Sequence, residues 1–332
     1  MAMITGREPA LSQKPRTGWK LSPRRLATML LNMPPEAISL AAAEELLKSD
    51  DLLVRHHGAM LLSKRGDRDA RLIMDRQLRQ GNPATRASVA RRLYTFSWFA
   101  AEPMLTRAVH DADPRVREAA IYALCEVGTI NAYQIATESL VKETEDFVFM
   151  ATAVGLRKRS DADAVPLLEQ AMRAQDPEVR IKVLETLGEN GTAPAGPIVK
   201  AALYDDDPDV LDAAAQSTIE VCGEAGLPLV IERILAHTGD SRLALLQGMN
   251  QATNRMFINL AEVDCVDAVL DMLAITGRDA MAAMRRRTVL CLAWIRHPRA
   301  DALLEDILTN ESSEAMRADL QHIIDSLRSQ PT

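Results

Sequence analysis

The sequence predicts an all-α fold, a right-handed α-solenoid of about nine helical hairpins in a chain of 332 residues. Three observations carry this reading. The phrase Asp113-Pro114-Arg115-Val116-Arg117 returns as Asp176-Pro177-Glu178-Val179-Arg180 and Asp207-Pro208-Asp209-Val210-Leu211, each time opening an Ala/Leu-rich stretch. With Arg117 as anchor, equivalent positions fall at Arg55, Arg86, Phe149, Arg180, Leu211, Arg242, Arg285 and Arg317, at spacings of 31, 31, 32, 31, 31, 31, 43 and 32 residues. Such a period marks an array in which each unit buries its apolar face on its neighbours. Finally, hydrophobic residues make up 47% of the chain and aromatics only 4%. The core is therefore Ala, Leu, Val, Ile and Met, which suits helix-on-helix packing better than β-sheet.

The elements follow from the amino terminus. Residues 1–20 carry Gly6, Pro9, Pro15 and Gly18 with little apolar content, and Lys/Arg outnumber acids six to one through Arg25; this composition predicts a disordered basic arm. Residues 21–332 are then one array. Ser22-Pro23 pairs an N-cap residue with a first-turn proline and opens a capping helix to Leu31. Met33-Pro34-Pro35 breaks into a second one ending near Lys48, so residues 22–48 cover the outer face of the first repeat. In each repeat the second helix shows one apolar stripe, Val116, Ala120, Ala123, Leu124 and Val127, spaced i, i+4, i+7, i+8, i+11. Val179, Val183 and Leu187 copy it, as do Met316, Leu320, Ile324 and Leu327. A first helix precedes each turn, at residues 164–172 before Asp176 and 300–308 before Arg317. Asp accepts backbone N–H groups at a helix start, and Pro fits the first helical position, where its missing donor is not needed. Gly128, Gly191 and Gly223 stand where the second helix should stop. The 43-residue interval holds about twelve extra residues, an insertion near 250–262.

The Asp-Pro-x-Val-Arg phrase with the following Ala-x-x-Ala-Leu resembles the HEAT repeats, in the short bacterial form also found in phycobilin lyases, over about residues 35–328. The resemblance implies a ladder in which a turn Asp and a helix Arg pair between neighbouring repeats. Asp51, Asp113, Asp176 and Asp207 match its acid position. Arg55, Arg86, Arg117, Arg180, Arg242, Arg285 and Arg317 match its basic one. Phe149 and Leu211 replace the Arg, and Asn82, Glu145 and Thr238 replace the Asp, so the ladder is expected to break in mid-array.

The charge distribution bounds the partners. Residues 1–100 hold 17 Lys/Arg against 9 Asp/Glu, while residues 101–332 hold 22 against 37. The chain is thus electrically asymmetric, a feature that bears on association. Four separated cysteines without a C-x-x-C pair, and an amino terminus without an apolar run, predict a reduced, cytoplasmic protein. No stretch approaches a membrane span.

The sequence offers no catalytic set, metal site or cofactor motif. None of the six histidines is followed by Glu, unlike the His-Glu pairs of the HEAT-like deoxyhypusine hydroxylases, and no i, i+4 His pair exists for zinc. Walker, G-x-G-x-x-G and G-x-S-x-G motifs are missing. The row five residues past each anchor, Met60, Arg91, Tyr122, Val154, Glu185, Gln216, Gln247, Leu290 and His322, is expected to line the concave face, and its mixed chemistry suits a protein partner. Arg68, Arg71, Arg76, Arg79 and Arg92 form a candidate basic patch. The leading expectation is a non-enzymatic protein-binding scaffold or adaptor. Two others stay open: the resemblance admits a bilin lyase or isomerase acting on a phycobiliprotein, and the basic amino-terminal third admits nucleic acid or another anionic partner.

Overall fold

The computed structural model describes residues 24, 25, 28, 29, 32–156, 162–191 and 193–328. The basic arm expected at 1–20 lies outside the described residues, as does most of the first capping helix. Among the described residues there are helices and turns but no strand. Nine hairpins follow in order: α1 (Leu40–Leu47) with α2 (Leu52–Arg65), α3 (Arg68–Gln80) with α4 (Pro83–Ala90), α5 (Trp98–Ala108) with α6 (Pro114–Val127), α7 (Ile130–Leu140) with α8 (Asp146–Leu156), α9 (Val165–Ala171) with α10 (Pro177–Asn190), α11 (Gly196–Ala202) with α12 (Pro208–Cys222), α13 (Leu227–Ala236) with α14 (Gly239–Arg255), α15 (Val266–Thr276) with α16 (Ala282–Trp294), and α17 (Pro298–Asn310) with α18 (Glu314–Arg328). The fold class is the α-solenoid.

Packing divides the chain into two compact units, residues 1–151 and 152–332, with the division inside α8. In the first unit α2 packs on α4 and α4 on α6. In the second, α10 packs on α12, α12 on α14, α14 on α16 and α16 on α18. Second helices thus stack on second helices, which leaves one side of each free of first helices. The apolar stripe explains the stacking: Val116, Ala120, Ala123 and Leu124 are all fully buried, as are Val183 and, in the last helix, Leu320. Each fully buried Leu contributes roughly 2 kcal/mol against leaving it in water.

The Asp-Pro phrase does what helix chemistry requires. Asp113 accepts from the Arg115 amide, Asp176 from Glu178 and Asp207 from Asp209, each at 2.9 Å, with Pro at the first helical position of α6, α10 and α12. Gly128 and Gly191 close α6 and α10 in the left-handed region at φ 64° and 58°, where a Cβ is disfavoured.

The ladder exists, but its acids are not the Asp of the Asp-Pro phrase. The anchor arginine reaches the carboxylate two residues before the next repeat's N-cap. Arg86 donates through Nε and Nη2 to Asp111 at 2.8 and 2.7 Å, and Arg117 to Glu143 at 2.8 and 2.9 Å. Arg180 meets Asp205 at 2.8 and 2.9 Å, Arg242 meets Asp279 at 3.0 Å, and Arg285 meets Glu311 at 2.8 Å. Asp113, Asp176 and Asp207 are occupied by helix amides instead, and Asp51 caps α2 while pairing with Arg24 at 2.7 Å. The geometry explains the offset. Each ladder acid also accepts from the N-cap amide of its own turn, as Asp111 does from Asp113 at 2.9 Å and Asp205 from Asp207 at 3.0 Å. One carboxylate therefore fixes the turn and receives the neighbouring guanidinium. Burial opposes ionisation of Asp111, but the bonds from Arg86 and the Asp113 amide outweigh it and hold the carboxyl below its ordinary value.

Both ends of the series lack a partner carboxylate at this position. Arg55 donates to the Ser49 carbonyl at 2.7 Å and its Nε is buried without a partner; the offset position after it is Gln80. Arg317 is exposed and turns back to the Leu308 carbonyl at 3.1 Å. Where the anchor is Phe149 or Leu211, the acid position of the following repeat is Ala174 or Ala236. Cation and acid are replaced together.

The 43-residue interval is spent partly inside α14, which runs 17 residues, and partly in the segment 256–265 that precedes α15. Arg242 still reaches Asp279 across it, so the ladder register survives the insertion.

Candidate functional site

The expected binding row lies on the second helices, and each unit presents its own part of it. In the first unit Met60 on α2, Arg91 at the end of α4 and Tyr122 on α6 are half-buried. Arg91 and Tyr122 are engaged within the chain. Arg91 pairs with Glu118 of α6 and stacks over the Tyr122 ring at 5.0 Å. Arg92 donates to the Tyr94 hydroxyl at 3.1 Å and lies 2.9 Å from His56 Nε2. That contact requires a neutral imidazole, and burial, followed by the charges of Arg92, His57 and Arg91, pulls the His56 pKa below its ordinary value.

In the second unit the row passes through Val154 and Glu185, both exposed, then Gln216, Gln247 and Leu290, half-buried, to the exposed His322. Three of its helices enclose a groove of about 560 Å³. It is lined by Lys182, Glu185 and Glu189 of α10, by Asp209, Asp212, Gln216 and Glu220 of α12, and by Gln251 and Arg255 of α14. Five carboxylates face two cations. Lys182 is paired with Glu185 at 2.5 Å and Arg255 with Glu220 at 2.6 Å, so the excess charge is negative.

Two glycines allow this surface to form. A Cβ on Gly248 would sit 2.1 Å from the Asp212 carbonyl oxygen, and one on Gly188 would sit 2.2 Å from Glu220 Oε2. Gly248 lets α14 approach α12 closely, and Gly188 makes room on α10 for the Glu220 side chain.

Asp212 is the residue that sequence reasoning missed. Among the described residues its side-chain hydrogen bond comes from Gln247, whose Nε2 donates at 2.7 Å; Gln247 Oε1 in turn accepts from Arg287 of α16 at 3.2 Å. The amide thus links an acid of α12 to a cation of α16 across α14. Burial pushes the Asp212 carboxyl up to about 6, against the smaller opposing effects of Arg287 and the Gln247 bond. A raised folded-state pKa stabilises the fold below the ordinary carboxylate range and loses that contribution as pH rises through about 6. Asp212→Asn, which keeps the amide contact, is therefore expected to raise the melting temperature at pH 7.5 and to leave it little changed at pH 4. Thermal melts at the two pH values check this; equal shifts at both would contradict it. No sequence signal marks Asp212, because its environment is created by three helices separated by a full repeat each.

The candidate basic patch is less concentrated than its sequence spacing implies. Arg68, Arg71, Arg76 and Arg79 share α3, but Arg76 forks onto Glu44 at 2.6 and 2.7 Å. Arg79 shares Asp75 with Arg107, at 2.9 and 3.0 Å. Arg92 turns to His56. Among the described residues no group of three His, Cys, Asp or Glu side chains converges as a metal site requires, and no helix is long and apolar enough to cross a membrane.

Stacked helical hairpins with a repeating capped turn and an arginine at its fifth position define a helical-repeat protein. The sequence matches the family of HEAT repeats at residues 73–157 and 149–220, and the chain carries HEAT repeats. No curated protein matches it. Among solved structures it is similar to Kap121p in its complex with RanGTP, at 15% identity and a TM-score of 0.54 over 92% of this chain and 39% of that one. Kap121p in its complex with Pho4p gives 16% identity and a TM-score of 0.50, over 92% and 38%. The chain thus spans about two fifths of the length of these karyopherin chains. The CpcE–CpcF complex of phycocyanin lyase from Nostoc sp. PCC7120 is 19% identical over 96% of this chain and 100% of that one, at a TM-score of 0.31. At these identities the karyopherin likeness concerns the fold alone, and the lyase superposition is too weak to bear on fold or activity.

Proposed function

We propose that this chain is a non-enzymatic scaffold that binds a protein partner through its second-helix face, and that the α10–α12–α14 groove takes a cationic segment of that partner. The observation that carries the reading is the groove itself, 560 Å³ with five carboxylates against two cations. A helical array supplies extended surface without a catalytic cleft. Asp212, half-desolvated and without an ion pair, gains most from an incoming Lys or Arg. The comparison structures in which Kap121p holds RanGTP or Pho4p support protein binding as a use of this fold. A cytoplasmic location and the reading of residues 21–332 as one array belong to the same proposal. The negative groove disfavours nucleic acid at this face, where phosphates would meet like charge.

The test is fluorescence anisotropy with a labelled 15-residue Lys/Arg-rich peptide. Affinity should fall as salt rises, and the double charge reversal Glu185→Lys with Asp212→Lys should weaken binding at least tenfold. Affinity indifferent to both would overturn the reading.

A further inference from the structure

The segment after α14 departs from the chain's own rules. Phe257 has φ 53° and is the one non-glycine residue with positive φ among the described residues. It stands two residues beyond the end of α14, after Met256, in the left-handed region that Gly128 and Gly191 adopt directly after α6 and α10. Two hydrogen bonds close the helix there, from the Phe257 amide to the Asn254 carbonyl at 3.3 Å and from the Ile258 amide to the Thr253 carbonyl at 2.9 Å, a paired closure whose left-handed residue is usually glycine. A side chain with a Cβ is disfavoured in this region. The ring gains nothing from its own chain in return, because Phe257 is 93% exposed, beside Met256 at 43%. Phe99 is similarly exposed at 89% but sits in ordinary helical backbone. The segment itself is pinned, with Leu260 and Val263 buried. Phe257 is therefore held out by a fixed turn.

Its position supplies the context. Arg255 and Gln251 line the groove, and Phe257 follows Arg255 by two residues, at most about 7 Å of extended chain. Phe and Met are enriched in protein interfaces relative to the rest of the surface, and here both are exposed in the turn that follows a groove-lining helix.

We propose that Phe257, with Met256 beside it, is the apolar anchor of the docking surface and receives a Leu, Met or aromatic side chain of the cationic segment. This rests on the groove reading. The partner is then a Lys/Arg-rich protein segment with one large apolar residue, and the insertion between α14 and α15 sets its specificity.

Two peptide series separate the two ideas. In one, a labelled Lys/Arg-rich 15-mer carries a single Leu placed at each position in turn; in the other, Ala replaces that Leu. The full chain should bind the best Leu peptide at least tenfold more tightly than its Ala counterpart. Phe257→Gly, which relieves the backbone, should keep or raise the melting temperature, bind the Ala peptide as the unaltered chain does, and lose the preference. Phe257→Leu should retain most of it. Ala peptides that bind with no Leu preference at any position overturn the anchor and leave the groove standing. A Phe257→Gly chain that keeps the preference, or melts several degrees lower, also overturns the anchor. Failure of both series to bind the unaltered chain overturns the groove and the anchor together.

Discussion

Gly248→Ala should destabilise the second unit by about 3 kcal/mol, the upper end for overpacking a close-fitted seam. The added carbon would sit 2.1 Å from a backbone carbonyl oxygen of α12 and 3.0 Å from the Ala215 Cβ. Neither atom belongs to a flexible side chain, so the two helices must separate. At this size of unit the loss corresponds to roughly 6–12 °C in melting temperature. The control is Gly196→Ala, where the new Cβ meets nothing nearer than Cys222 Sγ at 3.9 Å and the helix gains propensity; no loss is expected there. A Gly248→Ala chain within about 1 kcal/mol of the parent would show that α14 does not depend on this approach. Because the groove is built on the same seam, the substitution should also weaken the cationic peptide.

The second large effect concerns the ladder. Arg180 and Asp205 are each only 15% exposed and joined by two hydrogen bonds. Arg180→Leu strands the Asp205 carboxylate and removes the bonds to the Ala174 and Gln175 carbonyls, which should cost about 3 kcal/mol, the lower end for breaking a buried pair. Adding Asp205→Ala should recover at least half of that. The double variant loses a further turn bond to the Asp207 amide, worth about 1 kcal/mol, but no longer buries an unpaired charge. The chain already contains this arrangement at Leu211, which is buried, with Ala236 in the acid position. Chemical denaturation of the single and double variants measures the coupling; a double variant as unstable as the sum of the two singles would remove the ladder from the account.

These two cases show what the sequence discloses. Hairpins, caps and the repeat register were legible because each depends on residues within one turn: Asp113 and Pro114 at a start, Gly128 at a stop, Val116 to Leu124 along a stripe. The ladder was legible only in half. Its arginines repeat visibly, whereas the conspicuous Asp of Asp-Pro drew the acid role that belongs to Asp111, Glu143, Asp205, Asp279 and Glu311. The signal was present in the paired replacements, Phe149 with Ala174 and Leu211 with Ala236. The groove was legible least. Glu185, Gln216 and Gln247 were in the expected row, but Asp212 acquires its character from desolvation by neighbouring helices. Gly248 likewise reads as an unremarked helical glycine until α12 is seen against it. The insertion was located from spacing alone; that it ends a helix with Phe257 in a glycine's conformation is a property of the fold.

Hydrogen exchange on the full chain, with and without a saturating Lys/Arg-rich peptide, tests the central claim most directly. Slowed exchange is predicted in α10, α12 and α14 and at residues 256–258, where docking should suppress local opening. Protection confined to the first helices, or to residues 32–151, would contradict it.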